Sequence, residues 1–77
     1  ASQLAEHHRL RLAELEAACD SPRSAADLVP VLFRRELDGH QMFFAMGESM
    51  AHLHYLLAQG RLLRLPPQDG VLRYVRP

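Results

Sequence analysis

The stretch that decides the fold is "DGHQMFFAMGESMAHLHYLLAQG", residues 38–60, which has the pattern of one long helix. Asp38 and Gln41 have the spacing of a capping box, in which each side chain accepts a hydrogen bond from the other residue's backbone amide. Gly60 suits the left-handed conformation that ends many helices. Successive helical residues are rotated by about 100°, so one side of this third helix is predicted to face the core. That side carries Met42, Met46, Ser49, Met50, Leu53, Leu56 and Leu57.

A first helix is predicted over residues 2 to about 19, because no glycine or proline interrupts this segment. Its apolar stripe, with one histidine in register, consists of Leu4, His8, Leu12, Leu15 and Cys19. Cys19 is the only cysteine, so neither an internal disulfide nor a cysteine-based zinc site is expected. A lone cysteine on a buried stripe fits a reducing compartment, and the expected localisation is cytoplasmic.

A second helix is predicted over residues 25 to about 35, with Ser24 and Asp27 as its capping box and a bend at Pro30. After the third helix, the β-prone runs "RLLRL" and "VLRYV" flank a linker of turn-forming residues, which predicts a hairpin. The predicted fold is therefore mainly α (α+β), a single domain over residues 1–77. The order of three helices and a C-terminal β-hairpin is that of a winged helix.

Composition indicates a folded domain with no strong charge. The chain has 77 residues, 48% of them apolar, and a formal net charge of zero. Neutrality argues against a nucleic-acid partner, because that affinity depends on cations that neutralise phosphates. No apolar run is long enough to cross a bilayer, and no segment resembles a signal peptide. The sequence thus predicts neither a membrane nor a nucleic acid as partner.

The histidines of the third helix are candidate metal ligands. His52 and His54 are two residues apart, so on a helix they diverge by roughly 160° and cannot chelate one ion together. Glu48 and His52 share a face, which allows either an ordinary helix-surface contact or half of a small metal-binding module. The sequence contains no Ser-His-Asp spacing, phosphate-binding glycine loop or cysteine pair. The chain by itself is not expected to be an enzyme.

The side of the third helix opposite the core stripe is suited to contacts with protein. It carries Phe43, Phe44, Gly47, Glu48, Ala51 and Tyr55. A DNA-reading helix would present Arg, Lys, Asn or Gln there, whereas residues 38–60 contain two acids and no Lys or Arg. Domain docking is therefore favoured, although the first helix or the hairpin could cover this side, or two copies could pair through it. The hairpin arginines provide either solubilising charge or contacts to an anion: Arg61, Arg64, Arg73 and Arg76.

Three segments, "HHRLRLAELEAA", "SAADLVPVLFRRELDGHQMFFAMGESMAHLHYLLAQGRL" and "DGVLRY", resemble a known family. They are similar to the C-terminal domain of bacterial metallo-β-lactamase-fold hydrolases, the β-lactamase-associated winged helix. The resemblance spans nearly the whole chain. Its most specific parts are His8-Arg9, Leu32-Phe33, Gly47-Glu48, Ala51-His52-Leu53 and Leu56.

The resemblance implies that the chain is the C-terminal fragment of a longer, zinc-dependent hydrolase. In such proteins a preceding catalytic domain holds zinc through an H-x-H-x-D-H motif, which is absent here, so no cofactor is expected in this fragment. The domain is expected to pack on that N-terminal domain and to shape the substrate entrance. His7, His8 and Arg9 would lie nearest the join and are the candidates for lining the cleft. The alternative function is a winged-helix DNA-binding transcriptional regulator.

Overall fold

The computed structural model describes the backbone of residues 2–77 and the side chains from residue 6 onward. Its elements in chain order are α1 (Ser2–Ala18), β1 (Arg23–Ser24), α2 (Ala25–Leu32), α3 (Gly39–Ala58), β2 (Leu63–Arg64) and β3 (Arg73–Val75). The described chain therefore has three helices and a small antiparallel sheet, which confirms the predicted mainly helical α+β class. Assignment to the winged-helix group remains a prediction.

The three short strands form one antiparallel sheet in the order β1-β3-β2. The central strand places Tyr74 opposite Arg23 on one side and Arg64 on the other. The hairpin turn has positive φ at Asp69 and Gly70, 54° and 72°, the Asp-Gly pair typical of a two-residue hairpin turn. The hairpin was predicted, whereas β1 was missed because two residues between a turn and a helix cap carry no alternating pattern.

Local capping chemistry determines where α3 begins and ends. The carboxylate of Asp38 accepts a hydrogen bond from the Gln41 amide at 2.7 Å, and the Asp38 amide donates to Gln41 Oε1 at 3.1 Å. At the other end Gly60 has φ 72°, and the amides of Gly60 and Arg61 donate to the carbonyls of Leu57 and Leu56. This pair of bonds is a Schellman motif, which satisfies carbonyls that the helix leaves open. The predicted capping residues of α3 are confirmed.

The second helix is shorter than predicted. Its capping box at Ser24 and Asp27 is present, but α2 ends at Leu32 rather than near residue 35. Phe33 leaves the helix in an extended conformation, with φ −125° and ψ 93°, and its ring lies 5.2 Å from the Arg11 guanidinium. The early end of α2 thus coincides with a contact between Phe33 and another helix, and α2 also contains Pro30, which weakens it locally.

The core lies between the three helices and the central strand. Its fully buried cluster consists of Leu15, Cys19, Leu28, Leu53, Leu56, Leu62 and Tyr74. Burial also raises the pKa of the Cys19 thiol, as expected for an inert structural cysteine. The Arg76 amide donates to the Cys19 carbonyl at 2.8 Å, which fastens the C-terminal strand to the end of α1.

Two predictions about the core are wrong, and a third concerns a side chain outside the described residues. His8 is exposed, because residues 6–10 of α1 extend beyond the packed core and the stripe is covered only from Leu12 onward. Met42 is 41% exposed, while Ala45, which was not predicted to face the core, is 2% exposed. The buried line of α3 runs through Ala45, Ser49, Leu53 and Leu56, which leaves Met42 at its edge. The side chain of Leu4 lies outside the described residues.

One ion pair joins distant parts of the chain. The guanidinium of Arg61 donates to both carboxylate oxygens of Glu16, at 3.0 and 2.6 Å, across 45 residues of sequence. This hydrogen bonding holds the pKa of Glu16 below its ordinary value and raises that of Arg61. The two-bond geometry fixes the C-terminal half of α1 against the start of the hairpin segment.

This ion pair predicts a specific loss of stability in acid. Because the folded-state pKa of Glu16 is lower than its unfolded value of about 4.3, the unfolded chain binds more protons and stability falls as pH falls. The stabilisation is complete above the unfolded pKa and is lost as pH falls through the folded pKa. Urea unfolding of the chain and of Glu16→Gln should therefore differ most at neutral pH and converge in acid. A difference that is unchanged at low pH would contradict this role for Glu16.

Candidate functional site

The side of α3 opposite the core is exposed along its whole length. Its six residues, called the α3 face, are Phe43, Phe44, Gly47, Glu48, Ala51 and Tyr55. The exposed fractions of the three aromatic side chains are 76% for Phe43, 63% for Phe44 and 50% for Tyr55. The described part of α1 and the hairpin therefore leave this face open. Large aromatic side chains on an exposed face are typical of a surface that binds another protein.

The aromatic rings are grouped at the N-terminal half of α3. The Phe43 and Phe44 ring centroids are 6.0 Å apart, and those of His40 and Phe44 are 5.0 Å apart, both in edge-to-face geometry. These contacts hold the rings together as one raised patch. Beside the patch is a depression of about 310 Å³ lined by Phe33, Arg35, Leu37, Gln41, Phe44, Ala45 and Glu48.

A second depression lies between α1 and α3. This α1–α3 groove has a volume of about 530 Å³ and is lined by His8, Arg9, Leu12, Ala51, His52 and Tyr55. It brings together two of the predicted cleft residues, His8 and Arg9, with Ala51 and Tyr55 of the α3 face. The third predicted cleft residue, His7, does not line it. Instead, the Nε2 atom of His7 accepts a hydrogen bond from Arg11 at 3.0 Å.

The two histidines of the groove are neighbours across the helix pair. The ring centroids of His8 and His52 are 6.0 Å apart, with the planes at 80°. The Nδ1 atom of His52 lies 2.7 Å from the carbonyl oxygen of Glu48. A carbonyl only accepts, so Nδ1 must carry the proton and Nε2 is the ring atom left for another partner. The same contact fixes the orientation of the His52 ring.

Glu48 and His52 do not form the ligand pair that the sequence allowed. The Glu48 carboxylate lies 3.8 Å from the Arg11 guanidinium, while the His52 ring contacts the Glu48 backbone rather than its side chain. Among the residues from 6 onward, the structure shows no cluster of three or more His, Cys, Asp or Glu arranged to hold a metal ion. In this structure the two side chains therefore have different partners.

Arg11 is a residue whose position the sequence did not reveal. Its side chain is only 22% exposed and connects α1 to Glu48 of α3 and to the ring of Phe33. One of its terminal nitrogens is buried without a hydrogen-bond partner among the described side chains. Only the register between α1 and α3 places Arg11 there, and that register is not readable from either helix alone.

The comparisons with known proteins agree with this architecture. Residues 12–77 match the family described as metallo-beta-lactamase-like, C-terminal domain. The chain belongs to this family. It is also similar to the solved crystal structure of a beta-lactamase domain protein from Burkholderia ambifaria, with 52% identity over 99% of this chain and a TM-score of 0.93. No curated protein matches the chain.

This metallo-β-lactamase-like C-terminal domain covers 23% of the length of the Burkholderia protein. The family assignment supports the predicted relationship to metallo-β-lactamase-like proteins and does not favour the DNA-binding regulator. The family match begins at Leu12, so His8 and Arg9, which form one wall of the α1–α3 groove, lie before it. Within the described chain, no helix of this domain combines the length and apolarity needed to span a membrane.

Proposed function

We propose that this chain is an accessory C-terminal domain of a longer hydrolase of the metallo-β-lactamase superfamily. In this proposal it packs on the N-terminal catalytic domain through the α3 face and shapes substrate access, without a catalytic centre of its own. The observation that carries the proposal is the exposure of Phe43, Phe44 and Tyr55 on a single helix face.

Docking would remove the aromatic side chains of the α3 face from water. Aromatic side chains supply much of the binding energy in protein interfaces because they bury a large area at low entropic cost. The α3 face adds only one carboxylate, that of Glu48, which is half exposed and close to Arg11. A surface of this kind needs no strongly charged partner, so an apolar patch on the neighbouring domain is the expected complement.

Zinc belongs to the catalytic domain in this proposal. The described residues of the present chain offer no suitable donor set, so the accessory domain would contribute shape and binding contacts rather than metal ligands. His8 and Arg9, at the rim of the α1–α3 groove, are the residues proposed to lie at the substrate entrance. His7 would lie beside this entrance without lining the groove.

The docking proposal is tested by comparing the full-length protein with the 77-residue chain. The double substitution Phe43→Asp with Phe44→Asp should uncouple the domains in the full-length protein, so that one calorimetric unfolding transition becomes two. In the 77-residue chain the same change should leave the unfolding free energy within about 0.5 kcal/mol, because both side chains are exposed.

Leu63→Asp is the matched control, because Leu63 is a 50% exposed leucine outside the α3 face. It should leave the full-length protein with its original unfolding profile. If the double variant also kept that profile, the α3 face would not be the docking surface. Sedimentation of the 77-residue chain tests the competing use of the face, since a dimer abolished by the same double substitution would indicate pairing of two copies.

A further inference from the structure

We propose that the α1–α3 groove is a binding site for a small organic anion with an apolar body, such as a short-chain carboxylate. The groove is lined by His8, Arg9, Leu12, Ala51, His52 and Tyr55. Its biological role rests on the proposed function, in which such a ligand would be part of a substrate at the entrance. The binding itself is a property of the present chain.

The polar groups of the groove are suited to an anion. Arg9 supplies a guanidinium, which is always charged and can donate two parallel hydrogen bonds to a carboxylate. Tyr55 supplies a phenol, and its side chain is half exposed. His52 holds its proton on Nδ1 against the Glu48 carbonyl at 2.7 Å, so its Nε2 donates to an anion only when the ring carries a second proton. Among the described residues that line the groove none carries a carboxylate, although that of Glu6 contacts the Arg9 guanidinium.

The remaining residues that line the groove are apolar, and they would bind the apolar body of the anion. Leu12 packs against the core cluster, and Ala51 is a small, exposed residue of α3 that also lines the groove. The volume of about 530 Å³ lies within the range of sites that hold small molecules. An apolar chain on these residues would leave water while its charged end stayed at the exposed Arg9.

Glu6 is the competing partner of Arg9. The two side chains form an ion pair one helical turn apart on α1, and both are largely exposed, 71% for Arg9 and 53% for Glu6. Exposed pairs of this kind contribute little stability, so an incoming carboxylate can replace Glu6 at modest cost. Removal of the Glu6 charge should therefore strengthen binding of an anion. If Arg9 had only a structural role, the same change would leave anion affinity unaltered.

The experiment is a titration of the 77-residue chain with hexanoate, monitored through the imidazole resonances of His8 and His52 by NMR. Hexanoate should give saturable shifts in the millimolar range, whereas hexanol and hexylamine at equal concentration should not. Arg9→Met keeps most of the aliphatic stem and should weaken binding about tenfold, as expected for loss of a charge-assisted contact. Glu6→Gln should tighten it.

His54→Ala is the matched control, since His54 is exposed and lies outside the groove. It should leave hexanoate affinity unchanged, and circular dichroism should confirm that every variant is folded. The proposal is overturned if hexylamine binds as well as hexanoate, or if neither Arg9→Met nor Glu6→Gln changes the affinity. Failure here would leave the docking result untouched, because that experiment measures domain coupling at Phe43 and Phe44.

Discussion

Leu53→Ala is expected to destabilise the domain by about 3 kcal/mol. Leu53 is fully buried at the middle of the core stripe of α3 and belongs to the cluster that joins all three helices to Tyr74. Truncation removes apolar burial and leaves a cavity that the surrounding helices can fill only in part. A domain of 77 residues has a narrow stability margin, so this single loss should leave a substantial fraction unfolded at physiological temperature.

Urea denaturation followed by circular dichroism measures this effect. His54→Ala is the matched comparison, because His54 is the next residue on the same helix and is exposed. Its unfolding free energy should stay within about 0.5 kcal/mol of the parent value. Equal midpoints for Leu53→Ala and His54→Ala would contradict the assignment of residue 53 to the centre of the core.

The parts of the fold that were predicted correctly depend on interactions between near neighbours in sequence. The capping boxes at Ser24 and Asp38 each need residues only three positions apart, and the stop at Gly60 needs one residue that tolerates positive φ. The hairpin likewise depends on the Asp-Gly pair at its turn. Such features can be predicted from sequence because the residues that stabilise them are only a few positions apart.

The errors arose where distant contacts decide the outcome. The exact end of α2 at Leu32 coincides with the contact between the Phe33 ring and Arg11 on another helix, which local sequence does not encode. The strand β1 exists only because β3 passes beside it and pairs Tyr74 with Arg23. A helical period alone also could not show that small Ala45, rather than Met42, would meet the core.

The two candidate sites also differ in whether their residues are close together or far apart in sequence. The α3 face was predicted because all six residues lie on one helix, where the angle between side chains follows from their spacing. The α1–α3 groove combines two helices, so its composition depended on their register. The stripe of α1 already grouped Leu12 with His8, whereas the position of His52 beside His8 and Arg9 follows only from the packing of the two helices.

The long helix α3 presents three sides with different surroundings. One side fills the core through Leu53 and Leu56, another is the α3 face, and the side nearest α1 forms a wall of the groove. Only the first belongs to the buried core of this chain. The aromatic side chains exposed on the second side are the observation on which the proposed docking contact rests.

Ser49→Ala should have the opposite sign to most core substitutions and raise the unfolding free energy by about 1 to 2 kcal/mol. Ser49 is fully buried on α3, and its hydroxyl oxygen has no hydrogen-bond partner among the described side chains and backbone. A buried hydroxyl without a partner carries a desolvation cost that alanine avoids. Alanine is also the better helix former, and the volume removed is small.

Ser24→Ala provides the comparison, because it is the same chemical change at a site where the hydroxyl forms a hydrogen bond. The Ser24 hydroxyl accepts a hydrogen bond from the Asp27 amide at 3.1 Å as the N-cap of α2, so its removal should lower the unfolding free energy by about 1 kcal/mol. Urea unfolding of both variants should therefore give shifts of opposite sign relative to the parent. If Ser49→Ala were destabilising as well, the buried hydroxyl would have to be hydrogen-bonded in solution. The packing of α3 on its neighbours would then include a stabilising polar contact instead of an unsatisfied hydroxyl.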